Sequence, residues 1–375
     1  MKKRTRTKML AFATSAAMML GMGTTCVAAE PEEVSIGVIF YSIDDALGSS
    51  VYSVVNYAAQ ALGNVEVNWA VGAVTGADQI TNAENLISSG VDGIMVISLD
   101  NSATQKISNL CEENGVYMSL CFRSVDESVL ADVESNPYFV GYCCEDEAGT
   151  AYKMVEEISK QGSSKVCTHY VEESSSLSGR NDGFVEGIKE FGIEELANYV
   201  MINSSDNSDH INAVSNYLSF YPDCDTILVS QASSGIAESI MNILRDPSAN
   251  TNGTKLATFD TFEGMSEGFE NGLLSCVAGG IYPDALLSFM ALYNAVTGYP
   301  LVEDGMVELM LPYMLISDAD SLTYYESTMN DPEYRIFTED QIRNLAAVYN
   351  PELTIDDFNA IIDNWSLDYV RSLAE

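Results

Sequence analysis

The sequence predicts an α/β protein of two lobes, each a doubly wound parallel sheet, followed by a helical carboxyl-terminal extension. Short β-branched runs alternate with amphipathic helical stretches from Val34 onward, and the alternation restarts after YFVGYCC. Continuous apolar strands need helices over both sheet faces, which is the arrangement of a doubly wound sheet. A chain of 375 residues also exceeds one compact domain. A cleft is therefore expected where the carboxyl ends of the two sheets meet.

The first 29 residues have the composition of a secretory signal peptide. They hold five of the 17 Lys and Arg residues and none of the 55 acidic ones, and they include the apolar run MLAFATSAAMMLGMG. A basic start, a short apolar segment and the exit Val27-Ala28-Ala29 are typical of export signals. We expect cleavage after Ala29 and a location in the periplasm or at the outer face of the cell envelope. Lipid attachment at Cys26 is not expected, because Gly-Thr-Thr precedes it rather than a lipobox.

The first α/β unit begins with the strand SIGVIFY. Its helical segments are VYSVVNYAAQALG, ADQITNAENLISSG and ATQKISNLCEENG, and its further strands are VEVNWAV, GIMVIS and VYMSLCF. The second unit alternates in the same way, from the helix EAGTAYKMVEEISKQG through the strand KVCTHYVEE and the helix RNDGFVEGIKEFG to the strand LLSCVAGG. Short continuous apolar runs indicate buried strands, and apolar residues at 3.6-residue spacing indicate helices.

The strand pattern ends after Leu315. TEDQIRNLAAVYN and TIDDFNAIIDNW indicate capped helices, the first with Thr338 and Gln341 at the spacing of a capping box. The last 60 residues are therefore expected to form a helical extension. Trp365 is expected to pack this extension onto the fold rather than to contact a ligand.

Charge and cysteine usage exclude several classes of partner and site. The formal net charge is −38, and it becomes more negative once the basic amino terminus is removed. Such a surface repels phosphate backbones and anionic lipids, so nucleic acid is not an expected partner. Seven cysteines follow the signal segment without C-x-x-C spacing, which indicates neither a zinc site nor a disulfide framework. A bridge between Cys111 and Cys121 is left open.

Motifs for catalysis and cofactor binding are missing from the sequence. It contains no G-x-x-x-x-G-K-[ST], no G-x-S-x-G and no G-x-G-x-x-G after a strand. His169 lies in a strand and His210 at a helix start, and neither belongs to a cluster with metal-ligand spacing. We therefore expect structural histidines, no enzymatic activity, no cofactor and no metal.

Several short motifs follow one another in a characteristic order. The strand, polar loop and helix of IGVIFYSIDDALGSSVYSVVNYAAQALG come first, then GADQITNAENLISSGVDGIMVISLDNSA and the crossover FVGYCCEDEAG. SGRNDGF, YPDCDTILVSQ and LATFDTFEG follow, similar to R-x-x-G-F, P-D-x-x-A-I-F-A-x-N and V-G-F-D patterns. In this order and spacing the motifs resemble the type I periplasmic binding proteins of ribose, galactose and related sugars, which share their fold with LacI-type repressors. The resemblance covers roughly residues 34–316.

The resemblance implies a ligand held between lobes that close by hinge motion at three strand crossings. We place the crossings near residues 139–144, 279–283 and 311–315. The resulting divisions are a first lobe of residues 30–141 and 282–311, a second lobe of residues 142–281, and a third crossing with extension in residues 312–375. A monomer that passes a small molecule, above all a sugar, to an ABC transporter permease is implied. The LacI branch is disfavoured, because an export signal stands where a DNA-reading helix-turn-helix is needed.

The same resemblance implies a ligand site built from both lobes. Sugar hydroxyls both donate and accept hydrogen bonds, so such sites combine carboxylates and amides with the planar forks of arginines. Carried over position by position, the expected ligand-binding residues are Tyr41, Asp44, Asp45, Ser98, Asp100, Phe122, Arg123, Arg180, Phe259, Asp260 and Tyr282. Substitution of Arg180 is expected to abolish binding while leaving the fold intact.

Five positions depart from the pattern of sugar binders. Leu47 and Gly48 stand where aromatic residues usually stack on the sugar ring, and Phe122 stands where an acid usually precedes the ligand arginine. Ala232 and Ile281 replace amide residues. Replacement aromatic walls are available from Tyr41, Phe122, Phe262 and Tyr282.

These departures leave the ligand open. A less hydroxylated sugar derivative, a nucleoside and a small carboxylate remain alternatives to a sugar. The acidic helical tail, which transport does not require, also leaves open a sensory protein that presents such a ligand to a membrane receptor.

Overall fold

The computed structural model describes residues 32–123, 125–172, 175–201, 206–231, 235–331 and 333–374. The expected signal peptide and Ala232 lie outside the described residues. Within them the predicted fold class is confirmed, with two α/β lobes and a helical carboxyl-terminal extension. None of the described helices is both long and apolar enough to cross a membrane.

Strands and helices alternate through both lobes. The elements of the first run are β1 (Val34–Phe40), α1 (Ala46–Leu62), β2 (Val65–Val71), α2 (Gly76–Ser89), β3 (Gly93–Ile97), α3 (Asn101–Asn114), β4 (Tyr117–Phe122), α4 (Glu127–Glu134) and β5 (Phe139–Glu145). The second run contains α5 (Glu147–Lys160), β6 (Lys165–Val171), α6 (Ser175–Glu190), β7 (Glu194–Met201), α7 (Asn207–Phe220), β8 (Thr226–Val229), α8 (Ile236–Leu244), β9 (Lys255–Phe259), α9 (Met265–Glu270) and β10 (Leu274–Gly279). The chain ends with α10 (Pro283–Val296), β11 (Val307–Leu311), β12 (Met314–Ile316), α11 (Ala319–Thr328), α12 (Glu339–Asn344), α13 (Ile355–Asn364) and α14 (Leu367–Leu373).

Each lobe contains one twisted sheet. In the described part of the chain the first sheet has the order β11-β5-β4-β3-β1-β2 and the second the order β12-β10-β9-β8-β6-β7. The paired strands are parallel except that β12 runs antiparallel to β10. The strand order reverses between β1 and β3 in the first lobe and between β6 and β8 in the second. Ligands of doubly wound sheets bind beside the carboxyl ends of strands at such reversals.

The chain crosses between the lobes after β5, after β10 and after β11. The first crossing comes slightly later than residues 139–144, because β5 stays hydrogen-bonded in the first sheet up to Glu145, which pairs with Leu311 of β11. The lobe boundary expected at residue 141 is therefore placed too early. The second and third crossings lie at residues 280–282 and 312–313, between elements of different sheets.

α10 is buried on all sides. Its sequence, PDALLSFMALYNAV, accordingly has no polar stripe. One side of α10 packs on β3, β4 and β5, and α1 covers another. The extension closes the remaining side, where Asn294 donates a hydrogen bond to the carbonyl of Leu345 (2.8 Å). The part of the extension around α12 is thus packed into the first lobe's core.

The extension contains the first capped helix that the sequence predicts, preceded by α11, which the sequence analysis did not name. Thr338 and Gln341 form the expected capping box at the start of α12. Trp365 is 4% exposed and packs against Tyr369, with 6.2 Å between ring centroids, so its predicted packing role is confirmed. The seven described cysteines are buried and free, and no bridge joins Cys111 to Cys121.

Candidate functional site

The loops at the two strand-order reversals hold most of the expected site residues. The chain passes between lobes at the carboxyl ends of β5, β10 and β11, so the carboxyl edges of both sheets adjoin the hinge. Loops that follow the strands therefore face the space between the lobes. The first lobe contributes the β1–α1 loop and the ends of β3 and β4, and the second lobe contributes α6 and the ends of β8 and β9.

The β1–α1 loop is held by its own polar side chains. Asp45 caps α1 by accepting a hydrogen bond from the Gly48 amide (2.9 Å), and the Tyr41 hydroxyl donates to the same carboxylate oxygen (3.3 Å). Burial, with the charge of Asp45, raises the pKa of Tyr41 to about 12, while Arg123 nearby opposes the rise. Asp44 is exposed beside them. This loop can therefore offer carboxylate and hydroxyl groups to a ligand.

The position of Gly48 explains one departure from the sugar-binding pattern. A Cβ at Gly48 would lie 2.1 Å from the carbonyl oxygen of Ser42, because the first turn of α1 folds closely over the loop. No aromatic side chain can occupy this position without moving the backbone. A stacking ring, if the ligand needs one, must come from elsewhere.

Ser98 and Asp100, at the end of β3, are engaged in the start of α3. The Asp100 carboxylate accepts hydrogen bonds from the Ala103 amide (2.8 Å) and the Ser102 hydroxyl (2.7 Å), which lower its pKa. Ser98 is buried and bonds Thr104 (2.8 Å). Both residues lie at the predicted edge of the sheet, and their hydrogen bonds fix the helix start there.

Phe122 and Asp260 occupy equivalent places in the two lobes. Phe122 ends β4 and Asp260 directly follows β9, and each has a φ of +66°. A left-handed conformation costs a residue other than glycine of order 1–3 kcal/mol, and such strain concentrates at binding sites. The Phe122 side chain is buried against Phe40, 5.9 Å between centroids, so it supports the site from beneath.

Two glycines of the SGRNDGF region place Arg180 beside an acid. A Cβ at Gly183 would lie 2.1 Å from the carbonyl oxygen of Ala148, and a Cβ at Gly187 would lie 2.8 Å from Cβ of Val155. Only glycine permits such an approach of α6 to α5. The close approach brings Arg180, near the start of α6, to Glu147 at the start of α5.

Arg180 is 4% exposed and all five of its N–H donors are used. Its Nε and Nη2 donate to the Glu147 carboxylate (2.6 and 3.1 Å), a bidentate pair. Nη1 donates to the Ser230 carbonyl (2.8 Å) and to Gln231 Oε1 (2.7 Å), and Nη2 also donates to the Tyr313 hydroxyl (2.8 Å).

Phe259 completes this arrangement from below. The guanidinium carbon of Arg180 lies 4.0 Å from the Phe259 ring centroid, a cation–π contact. Tyr313 packs edge-on against the same ring, 5.3 Å between centroids. We call Glu147, Arg180, Phe259, Asp260 and Tyr313 the arginine cluster. Three of its members, Arg180, Phe259 and Asp260, are sequence-predicted site residues.

The arginine cluster contains more potential negative charge than positive charge. Burial disfavours a charge on Arg180, but Tyr313, Glu147 and Asp260 outweigh it and raise its pKa above the usual value. Burial also raises the pKa of Asp260, with Arg180 opposing the rise. Among the described residues, none donates a hydrogen bond to the Asp260 carboxylate. Asp260 is therefore the acceptor in this cluster best placed for a ligand hydroxyl or amine.

Two further acids lie at the hinge under the cluster. Asp284 is fully buried at the start of α10, where Oδ1 accepts a hydrogen bond from the Phe122 amide (3.2 Å) and Oδ2 has no partner among the described residues. Burial raises the pKa of Asp284 well above its usual range. Burial, Asp284 and Glu147 likewise raise the pKa of Glu145. At neutral pH these two carboxyl groups hold protons more readily than exposed acids do.

Arg123 and Tyr282 also lie outside the arginine cluster. Arg123 is exposed at the end of β4, in the other lobe, and the structure shows no ion pair for it among the described residues. Tyr282 lines a groove together with Tyr334 and Arg335 of the extension. Burial and Tyr325 raise the pKa of Tyr282, and Arg335 opposes the rise. Tyr282 thus lies beside the extension rather than with Asp260.

Sequence reasoning missed several residues that hold Arg180. Glu147 lies in the quoted crossover FVGYCCEDEAG, and Tyr313 lies at the third crossing. A buried arginine needs a counter-charge, so an acid near Arg180 is expected once its burial is known. The spacing along the chain did not show which of the 55 acids would supply it.

The two histidines are structural, as predicted. His169 and His210 are buried, with 3.3 Å between their Nδ1 atoms. Burial and the neighbouring His210 lower the pKa of His169 to about 3, so it stays neutral at physiological pH. No group of three or more His, Cys, Asp or Glu residues in the described ranges is arranged to hold a metal ion.

Two α/β lobes joined by three crossings, with polar groups gathered at the facing sheet edges, define a protein that binds a ligand between its lobes. Residues 36–299, well over half of the chain, match the family described as periplasmic binding protein domain. The chain belongs to this family. Because the family consists of exported solute-binding proteins, the chain is a solute-binding protein and not an enzyme.

Solved structures share the fold at low sequence identity. One is an ABC transporter solute-binding protein from Bacillus halodurans with bound myo-inositol (19% identity, 80% of this chain and 99% of that chain, TM-score 0.59). A second is a periplasmic ribose ABC transporter protein from Conexibacter woesei (16% identity, 80% of this chain and 97% of that chain, TM-score 0.64). A third is a mutant XylFII–LytSN complex (18% identity, 78% of this chain and 100% of that chain, TM-score 0.58). A search of curated proteins found no match.

Proposed function

We propose that the protein captures a sugar or a related neutral polyol between its lobes and delivers it to an ABC importer. The arginine cluster carries the proposal, because it presents the Asp260 carboxylate beside a rigid guanidinium and aromatic floor. An acceptor without a protein donor suits a ligand hydroxyl group, which can donate a hydrogen bond to it. The solved relatives support the ligand class, since one holds myo-inositol and another is a ribose transport protein. Export with cleavage after Ala29, without a lipid at Cys26, is part of the proposal.

Charge decides between the ligand classes that the sequence leaves open. Glu147 neutralises Arg180 through a bidentate pair, and Asp260 adds a second carboxyl group. A ligand carboxylate would find Arg180 already paired with Glu147, which it would have to displace, and it would be repelled by the ionised form of Asp260. A neutral polyol or an amino sugar meets neither cost. We therefore expect small carboxylates to bind more weakly than neutral and amine-bearing sugars.

Isothermal titration against a matched ligand panel tests this function. The panel contains ribose, glucose, myo-inositol, glucosamine, glucuronate and adenosine. At least one neutral or amine-bearing sugar or polyol is expected to bind at least ~10-fold more tightly than glucuronate, which corresponds to about 1.4 kcal/mol. Binding of no sugar or polyol would overturn the proposal, and tightest binding of glucuronate would overturn its charge argument.

Two variants extend that titration, one at the proposed site and one as its control. Asp260→Asn keeps a residue that tolerates positive φ but removes the charge, so affinity is expected to fall ~10-fold or more. Asp304→Asn changes an exposed acid in the α10–β11 loop and is expected to bind like the unaltered protein. Equal affinity of both variants would remove Asp260 from the site.

A sensory role is the second candidate, favoured by the shared fold of the XylFII–LytSN complex. In that role the protein would present its ligand to a membrane receptor. Cells lacking the protein are expected to lose uptake of the ligand identified by titration. Normal uptake, with loss only of the transcriptional response to the ligand, would favour sensing over transport.

A further inference from the structure

The carboxyl-terminal extension touches both lobes. After β12 in the second sheet, α11 packs on α9 and β12 of the second lobe. α12 then lies against α1 of the first lobe. The chain therefore passes from the second lobe to the first between α11 and α12, in addition to the three crossings at residues 146, 280–282 and 312–313.

The second-lobe contact of the extension lies on the hinge itself. Tyr325 is 4% exposed and its ring covers two hinge glycines. A Cβ at Gly279 would lie 3.0 Å from the Tyr325 hydroxyl, and a Cβ at Gly280 would lie 3.2 Å from both Tyr325 and Met329. Burial raises the pKa of Tyr325 to about 12, which Thr261 beside it partly offsets. Thr261 is the chain neighbour of Asp260, so the extension contacts the candidate site's own loop.

The first-lobe contact of the extension is made by hydrogen bonds to the end of α1 and to α10. Arg343 Nε donates to the Ala61 carbonyl (2.7 Å), and the Tyr349 hydroxyl donates to the Leu62 carbonyl. These are carbonyls of the last turn of α1, which has no partner for them within the helix. Asn294 of α10 accepts from the Ala347 amide (2.7 Å). The extension therefore completes the first lobe rather than lying loosely on it.

Three apolar side chains between these contacts are buried near the hinge. Met329, Ile336 and Phe337 are 3%, 7% and 5% exposed. Arg335 lies over the Tyr57 ring of α1, 5.0 Å from its centroid. Separation of the lobes would pull these side chains out of contact with either α1 or the hinge, which opposes opening by exposing apolar surface.

We propose that the extension is a strap that joins the lobes a fourth time and limits how far the cleft opens. Three crossings form the hinge, and the strap adds a fourth tether packed against it by Tyr325 on one lobe and by Arg343 and Tyr349 on the other. A narrower range of opening raises the fraction of ligand-free molecules that are ready to close on a ligand. This role concerns the motion of the lobes and does not depend on which ligand they hold.

Cutting the strap tests the proposal without any ligand. A protease recognition sequence is inserted between Asn330 and Asp331, both exposed, and fluorophores are attached at Glu84 in α2 and Glu190 in α6, both exposed. Single-molecule energy transfer reports the distance between the lobes before and after cleavage. Cleavage is expected to raise the fraction of widely open molecules by ~5-fold or more. An unchanged distance distribution after complete cleavage would overturn the proposal.

A matched cut and a matched pair of substitutions complete the test. Cleavage within the exposed residues 303–305, which connect two elements of the first lobe, is expected to leave the distances unchanged. If the strap-cut protein unfolds, Arg343→Ala replaces it, because this change loosens the first-lobe contact. Arg245→Ala is its control, since Arg245 pairs with Glu267 within the second lobe. Equal distances in the Arg343 and Arg245 variants would then overturn the proposal.

Discussion

Replacement of Arg180 by methionine is expected to abolish ligand binding and to lower the free energy of unfolding by about 3 to 5 kcal/mol. Methionine keeps the length and apolar stem of the side chain but removes five donors. Glu147 would then be buried without its counter-charge, and Tyr313 and Gln231 would lose a partner. Chemical denaturation measures the stability loss, and titration with the ligand found above measures the binding loss. The structure thus changes the expectation that an Arg180 substitution leaves the fold unaffected.

The double variant Arg180→Met, Glu147→Gln separates the two effects. It removes both charges, so most of the lost stability is expected to return. Binding is expected to stay absent, because the rigid guanidinium that orders the site is still missing. Full ligand affinity in either variant would assign Arg180 a structural role only.

Stability is expected to fall as pH rises from about 5 to 8, and Asp284→Asn is expected to reduce that fall. Burial raises the folded pKa of Asp284 well above 3.8. The folded protein therefore keeps a proton that the unfolded chain releases above about pH 4, and raising the pH favours unfolding. The loss of stability with rising pH continues until the pH reaches the folded pKa of the group. Burial and the neighbouring Asp284 also raise the folded pKa of Glu145, so Glu145 contributes to the same loss of stability as pH rises.

Urea denaturation at pH 5, 6, 7 and 8 measures this effect. Asparagine preserves the acceptor for the Phe122 amide and has no proton to lose. The variant is therefore expected to be more stable than the unaltered protein at pH 8 and similar at pH 5. Asp304→Asn, on an exposed loop, is the control. A pH slope identical in both variants would show that Asp284 does not keep its proton in the folded state.

Regular local patterns were sufficient for the fold class and for placing several of the proposed site residues at the carboxyl edges of the sheets. Apolar strand runs and 3.6-residue helices repeat locally, and loops after parallel strands must share one edge of the sheet. The positions of Ser98, Asp100, Arg180 and Asp260 at those edges follow from this geometry. The lobe boundary was placed too early, because the pairing of Glu145 with Leu311 joins strands far apart in sequence.

The sequence by itself determined that this is a two-lobed, acidic, solute-binding protein with an arginine near the start of a second-lobe helix. Only the tertiary structure decided what that arginine does at rest: it is buried in a bidentate pair with Glu147, brought together by Gly183 and Gly187. It also decided that the acidic extension is anchored to both lobes. Periodicity is a property of neighbouring residues, whereas charge pairing and contacts between lobes depend on positions that only the folded chain brings within a few ångströms.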